Sequence, residues 1–319
     1  MSTPPPSRRA VIAASLAATA GGLGVSVPAL ASHAQARETP EPPAGRRIFK
    51  SLKLGMFSED IPIVEKFRIL KDVGFDGVEL DAPGGQDKAE CLAASAQTGL
   101  PIEGVVNDKH WQIRMSSPEE ATRDEAVGHM LEAIRQCWLV RGDSVLLVPG
   151  HGQDGTEAEI ADRAEAAIRQ CLPLAGFLGV RIAIENVWNR MFYDHDGPDS
   201  QSADALAAFI DRFDSPLVGV HFDIGNHQRY GPPAEWILTL GRRIVKLDVK
   251  DWSPKDGFCP IGQGAVDWPA VRASLQEIGF VGWAAAEVAG GDREQMRRIS
   301  EQMDEVLGLR PEAPASTVG

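Results

Sequence analysis

From residue 51 onward the chain repeats one rhythm eight times: a short run rich in β-formers, a polar turn, then a stretch with helical periodicity. The strand runs are LKLGMF (52–57), GVELDA (77–82), IEGVVN (102–107), SVLLVPG (144–150), RIAIENV (181–187), VGVHFDIGN (218–226), RIVKLDVKD (243–251) and GWAAAEV (282–288). Between them lie amphipathic stretches such as IPIVEKFRILKDVG and AEIADRAEAAIRQCLPLAGFLG, several ending on Gly as helix C-caps do. Parallel strands need a helical crossover, so eight such units predict an α/β protein built as a closed (β/α)8 TIM barrel, which typically takes about 250 residues. A doubly wound open sheet is the alternative. It is weakened because no GxGxxG follows the first strand and because polar residues cluster at so many strand ends.

Residues 1–36 stand outside the rhythm. They combine a polar start, the pair Arg8 and Arg9, an Ala/Gly/Val/Leu stretch from Ala10 to about Leu30, and the small-residue end Ala34-Gln35-Ala36. This pattern predicts a cleaved export signal rather than a membrane anchor, since the stretch is weakly apolar and an A-x-A site follows it. The arginine pair is of twin-arginine type, which predicts export to the periplasm in the folded state. The expected organisation is a signal over 1–36, a flexible leader over 37–45, a single barrel domain over 46–308 and a flexible tail over 309–319. The 45 acidic and 32 basic residues give a formal charge of −13. Loss of the two signal arginines takes it to −15, a field that opposes phosphate backbones and anionic lipid, so neither nucleic acid nor a membrane is an expected partner. Cys91, Cys137, Cys171 and Cys259 form no CxxC pair and no disulfide framework.

In a closed barrel the C-terminal strand ends converge on one mouth. Here those ends carry Glu79 and Asp81, Asn107, His151, Glu185 and Asn186, then His221, Asp223 and Asn226, Lys246, Asp248, Lys250 and Asp251, and finally Glu287. Alternation places Lys246, Asp248 and Lys250 on the inward face of one strand, with Leu247 and Val249 facing the helices. Glu185, Asp223, Asp248 and Glu287 therefore aim at one centre from four consecutive strands. Converging carboxylates repel and lose hydration, which predicts a divalent ion among them; all-oxygen ligation favours Mn²⁺ or Mg²⁺ over zinc. The competing reading is that each acid pairs with a nearby lysine or arginine. One divalent ion leaves the four acids at −2, an excess that Lys246 and Lys250 are placed to cancel. Lys250 lies nearer the mouth, as a donor to a substrate oxygen; Lys246, counted with the substrate-binding set, lies deeper and is expected to stabilise the site.

The segments IAIENVWNR, VGVHFDIGNH, RIVKLDVKDW, PIGQGAVDW and GWAAAEV, together with GFDGVELDAPG, resemble the xylose isomerase-like barrel superfamily, in its sugar isomerase and epimerase branch, over about residues 50–308. The resemblance implies one divalent ion held by a Glu, an Asp, a His and a Glu on strands five to eight, positions that fall on Glu185, Asp223, Asp248 and Glu287. Asp248 stands where the family has His. Asn226 stands where a second His often follows the strand-six Asp. The implied chemistry is removal of a carbon-bound proton by one glutamate to give an enediolate, with return by a second glutamate or the same one; Glu185 and Glu287 fit both roles. Return to the opposite face epimerises, return to the neighbouring carbon isomerises, and loss of a β-substituent would make a lyase or dehydratase of a keto-sugar, keto-glycoside or cyclitol. Asn107, His110, His151, Asn186, Trp188, Arg190 and Asn226 are the further candidates for binding sugar hydroxyls or stacking on a ring. For His110 and His151 a capping role competes, and Trp111, Trp188 and Trp252 serve equally as loop anchors.

An exported enzyme without an evident phosphate-binding Arg cluster is expected to act on a non-phosphorylated carbohydrate. A homo-oligomer is compatible with the sequence and not specified by it. A DNA-repair endonuclease of the same superfamily would need a His-rich multi-metal site and a basic track, which the composition opposes. An exported carbohydrate-binding protein without catalysis is the third class, separable by measuring bound metal.

Overall fold

A computed structural model describes residues 47–309. The export signal (1–36) and the leader (37–45) lie outside the described residues, as does the tail beyond 309. The strands are β1 (Ile48–Leu52), β2 (Val78–Ala82), β3 (Ile102–Asn107), β4 (Ser144–Leu147), β5 (Arg181–Glu185), β6 (Val218–Asp223), β7 (Ile244–Val249), β8 (Asp251–Ser253), β9 (Gly257–Cys259) and β10 (Gly282–Ala286). Eight form one sheet in the order β1-β10-β7-β6-β5-β4-β3-β2, every laddered pair parallel, and β8 with β9 makes a separate antiparallel hairpin. The sheet's two ends meet through a parallel bridge between Lys53 and Glu79. There the N–H groups of Asp76 and Gly77 donate to the Lys50 carbonyl at 2.8 and 3.2 Å, and Lys50 N–H donates to Asp76 Oδ2 at 2.8 Å. The result is the (β/α)8 TIM barrel, nearly closed.

The helices are α1 (Ile63–Asp72), α2 (Lys88–Thr98), α3 (Glu120–Leu139), α4 (Glu157–Leu178), α5 (Asp204–Asp211), α6 (Ile224–Gln228), α7 (Pro233–Leu240), α8 (Trp268–Glu277) and α9 (Arg293–Val306). Among the described residues none is long and apolar enough to cross a membrane. α4 shows how sequence sets these elements. Thr156 and Glu159 close a capping box at its start, Gly179 takes φ 68° at its end, and Ile160, Ala164, Ala167, Ile168, Cys171 and Ala175 bury one stripe. Outward-facing Leu247 and Val249 of β7 are fully buried under the helices.

Of the eight runs read as strands only 102–107 keeps both its bounds; β2, β4, β5 and β10 are trimmed by one to three residues, and the other three differences have local causes. β1 runs over 48–52, not 52–57, because Leu54–Met56 tightens into a 3-10 turn and the Phe57 N–H bonds the Leu54 carbonyl. β6 stops at Asp223 because that side chain caps α6, accepting the Asn226 N–H at 2.8 Å. β7 stops at Val249, and Asp251 opens the hairpin.

Candidate functional site

Glu185 ends β5, Asp223 ends β6, Asp248 is the penultimate residue of β7 and Glu287 follows β10, so all four sit at the C-terminal mouth. Each offers one oxygen, and these oxygens all lie within 4.8 Å of one another. Backbone and side chains hold them in place. Asp223 N–H donates to Asn186 Oδ1 at 2.7 Å, and Asn186 Nδ2 donates back to the Asp223 carbonyl at 2.9 Å. With Oδ1 used in capping α6, Asp223 Oδ2 is left facing the cluster, 2.8 Å from Lys250 Nζ. His221 Nε2 lies 3.0 Å from Asp248 Oδ1 and Lys53 Nζ 3.7 Å from Oδ2, yet neither oxygen receives a well-directed hydrogen bond. Gly225 lets Lys250 approach, since a Cβ there would collide with Lys250 Cγ.

Burial drives the Glu185 carboxyl well above the ordinary carboxylate range, and the charges of Glu287, Asp248 and Asp223 add to the rise. Asp223 is pushed up to about 8, by burial first, with Lys250 opposing. Burial and Asp248 push Glu287 upward too, but Lys53 and Lys250 prevail and hold it below its usual value. Both lysines are raised, because neighbouring carboxylates outweigh the desolvation that would lower them. A buried all-oxygen set in which burial lifts Glu185 and Asp223, and which leaves Asp223 Oδ2, Glu287 Oε2 and both Asp248 oxygens without a well-directed hydrogen bond, fits a hard divalent cation.

The cluster opens on a cavity of about 460 Å³. Glu185, Glu287, Lys250, His110, Trp188 and Asn226 line it, as the sequence led us to expect. His110 Nδ1 accepts the Val148 N–H at 3.2 Å, and burial lowers its pKa to about 3, which fixes a neutral ring with its proton on Nε2. Trp188 donates its indole N–H to the Asn226 carbonyl at 2.7 Å and stacks on Phe258, ring centroids 4.9 Å apart.

Five expected substrate contacts do not line the cavity. Asn107 is buried, with Nδ2 on Met130 Sδ and Oδ1 accepting the Lys109 N–H. Asn186 is consumed in tying β5 to β6 and in donating to the Tyr193 hydroxyl at 2.8 Å. His151 caps the turn Gly152–Asp154, accepting the Gln153 N–H. Arg190 is exposed and pairs with Asp196 at 3.4 Å. Lys246 is buried on Glu79 and Glu103, so the counter-ion place it was expected to share with Lys250 belongs to Lys53. Lys53 escaped notice because a first strand drawn at 52–57 puts it at the start of the strand instead of just past its end. Asp108 and Phe258 also line the cavity and were missed, Phe258 because it rides on the β8–β9 hairpin; Asp81, noticed only as a strand-end acid, and Trp111, considered only as an anchor, line it too.

Fold and site together define a (β/α)8 barrel with an acidic, cation-fitting pocket at the mouth where enzymes of this architecture carry their active sites. The sequence profile of the xylose isomerase-like TIM barrel matches residues 67–307, and the chain belongs to that family. L-ribulose-5-phosphate 3-epimerase UlaE of Salmonella paratyphi C (strain RKS4594) is 24% identical over 254 residues, covering 73% of this chain and 86% of the epimerase. Among solved structures, a D-tagatose 3-epimerase-like protein superposes with a TM-score of 0.67 at 19% identity, covering 82% of this chain and 97% of that one. The IOLI protein with a binding zinc atom superposes at 0.69 and 16% identity, covering 83% and 100%. At these identities the structural likenesses show the fold.

Proposed function

We propose that the chain is a sugar epimerase acting on a non-phosphorylated carbohydrate with the help of one divalent cation, Mn²⁺ or Mg²⁺, held by Glu185, Asp223, Asp248 and Glu287. The carrying observation is the set of four carboxylate oxygens within 4.8 Å of one another beside a cavity large enough for a sugar. The epimerase names of the relatives agree with it. When bound, the cation would supply a Lewis acid for the substrate carbonyl and its neighbouring hydroxyl. Glu287, held ionised between two lysines, is suited to accept a proton from carbon, and Glu185, across the cluster, to return one to the opposite face. Lys250 donates to the substrate oxygen that gains charge, the His110 Nε2–H can donate to a hydroxyl, and Trp188 with Phe258 offers ring faces to the sugar's C–H face.

The lining supports a neutral substrate. Asp81 and Asp108 add to the acids of the pocket, whose only cationic side chains among the described residues, Lys53 and Lys250, are outnumbered by Glu287, Asp223 and Asp248 around them, so the lining carries no net positive charge to favour a phosphate dianion. Arg8, Arg9 and the Ala34-Gln35-Ala36 end support export through the twin-arginine route, and a periplasmic enzyme meets free sugars more than their phosphates.

The test is deuterium exchange. Mn²⁺-loaded protein is incubated in D₂O with free ketohexoses, 3-keto-glycosides and L-ribulose 5-phosphate, and uptake at carbon is followed with product identity. Exchange into a free sugar or glycoside with inversion is the expected result, and Glu185→Gln should lower it by about 100-fold or more. Wild-type exchange in that variant, or exchange into the phosphate alone, rejects the proposal; loss of a β-substituent would identify a lyase instead.

A further inference from the structure

Glu287 is bridged by two lysines that leave different strands. Lys53, the first residue past β1, donates to its Oε1. Lys250, the first past β7, lies 2.5 Å from its Oε2 and 2.8 Å from Asp223 Oδ2. Lys53 Nζ also lies 3.7 Å from Asp248 Oδ2, so the two ammonium groups together reach three of the four clustered carboxylates. Counted fully ionised, the four acids and two lysines sum to −2, the charge that one divalent cation cancels.

The two lysines are held differently. Lys250 donates to Asn226 Oδ1 at 3.2 Å, sits 4.8 Å from the centroid of the Phe258 ring and is packed against Gly225. The Lys53 ammonium pairs with Glu287 and Asp248, and the residue is 21% exposed and opens on the cavity. An oxygen engaged by an ammonium group cannot also ligate a cation unless the ammonium moves, and like charges this close repel strongly out of bulk water. Of the two, Lys53 is the one free to swing.

We propose that Lys53 and Lys250 are built-in counter-ions that hold the carboxylate cluster together without a bound cation, and that Lys53 competes with the cation for Glu287, so that filling the site releases its ammonium group into the cavity. The competition rests on the proposed cation site; the counter-ion role does not. Lys53 is thus a positioning residue for the empty site and a donor in the filled one.

The experiment uses the purified chain after EDTA treatment, with thermal melts and Mn²⁺ titration calorimetry on wild type, Lys53→Met, Lys53→Gln and Lys53→Arg. Removing the charge should lower the metal-free melting temperature by several degrees, and saturating Mn²⁺ should close most of that gap. Mn²⁺ affinity should rise by roughly tenfold in Lys53→Met and Lys53→Gln, the effect of removing one competing positive charge. Lys53→Arg should restore the metal-free melting temperature, which a packing role alone would not require. Lys53→Gln keeps a polar side chain of similar reach and serves if Lys53→Met folds poorly. Unchanged metal-free melting in both neutral variants overturns the counter-ion role. A normal Mn²⁺ response in wild type with equal or weaker affinity in the variants overturns the competition, and Mn²⁺ binding to none of the proteins overturns the competition together with the cation site.

Discussion

Below the cavity, Lys246 sits out of contact with water between two acids, with Nζ on Glu79 Oε1 and 2.6 Å from Glu103 Oε1, while Ser51 Oγ donates to Glu103 Oε1 at 2.9 Å. Two carboxylates share one ammonium, and burial pushes Glu103 up to about 8 against the pull of Lys246. Lys246→Met would strand two buried acids and should cost about 3–5 kcal/mol, read as a lower melting temperature with the cavity intact; an unchanged melt rejects this. Glu103 gives a pH signature. Its folded pKa is raised, so its contribution to stability is full below the ordinary carboxylate range near 4.5 and is lost as pH rises toward 8. Glu103→Gln should therefore flatten the fall in stability between about pH 5 and pH 8, and an identical slope in urea unfolding would count against it. Alternation along RIVKLDVKD was enough to turn Lys246, Asp248 and Lys250 inward. What it lacks is depth along the barrel axis and the identity of partners across the lumen, which is why Lys246 was credited to the site and Glu103, one acid inside the apolar strand IEGVVN, went unremarked.

The β8–β9 hairpin hangs on one side chain. Asp251, buried at its first position, accepts N–H bonds from Trp252 and Val266 on Oδ1 at 2.9 and 3.2 Å, and from Gly262 and the Trp268 indole on Oδ2, both at 3.0 Å. Both oxygens act as acceptors, with two donors to each. Asp251→Asn would turn an NH₂ against two of them and should destabilise by about 2–4 kcal/mol, the cost of charge-assisted bonds left unmade. Because the hairpin carries Phe258 against Trp188, the same variant should raise KM more than it lowers kcat; a wild-type KM beside a lowered melting temperature would uncouple the hairpin from the pocket. The long elements were legible because each amphipathic period runs for several turns. The hairpin was not, since two three-residue strands are too short to show alternation, and α6 was read as strand because Asp223 both ends β6 and caps the helix.

At the scale of the molecule, eight strand–helix units dictate a barrel because every parallel crossover must return on the same side, but the repeat does not say how firmly each neighbouring pair is joined. Seven pairs have ladders of three to five paired residues, whereas β1 and β2 share the Lys53–Glu79 bridge and the bonds between Lys50 and the Asp76–Gly77 turn. A seam with a shorter ladder should open at a lower free energy than the rest of the sheet. The amides of Lys50, Asp76 and Gly77 are therefore expected to exchange with D₂O ahead of those in the β5–β6 ladder. Asp76→Ala, which removes the acceptor for Lys50 N–H, should speed them further by about 1–2 kcal/mol of lost protection and leave β5–β6 unaffected. The seam ends in Lys53, whose ammonium holds Glu287 beyond β10, so this opening also bears on the pocket. Native-state exchange with mass-spectrometric readout decides it, and protection at Lys50, Asp76 and Gly77 equal to that at β5–β6 would show a barrel uniformly closed.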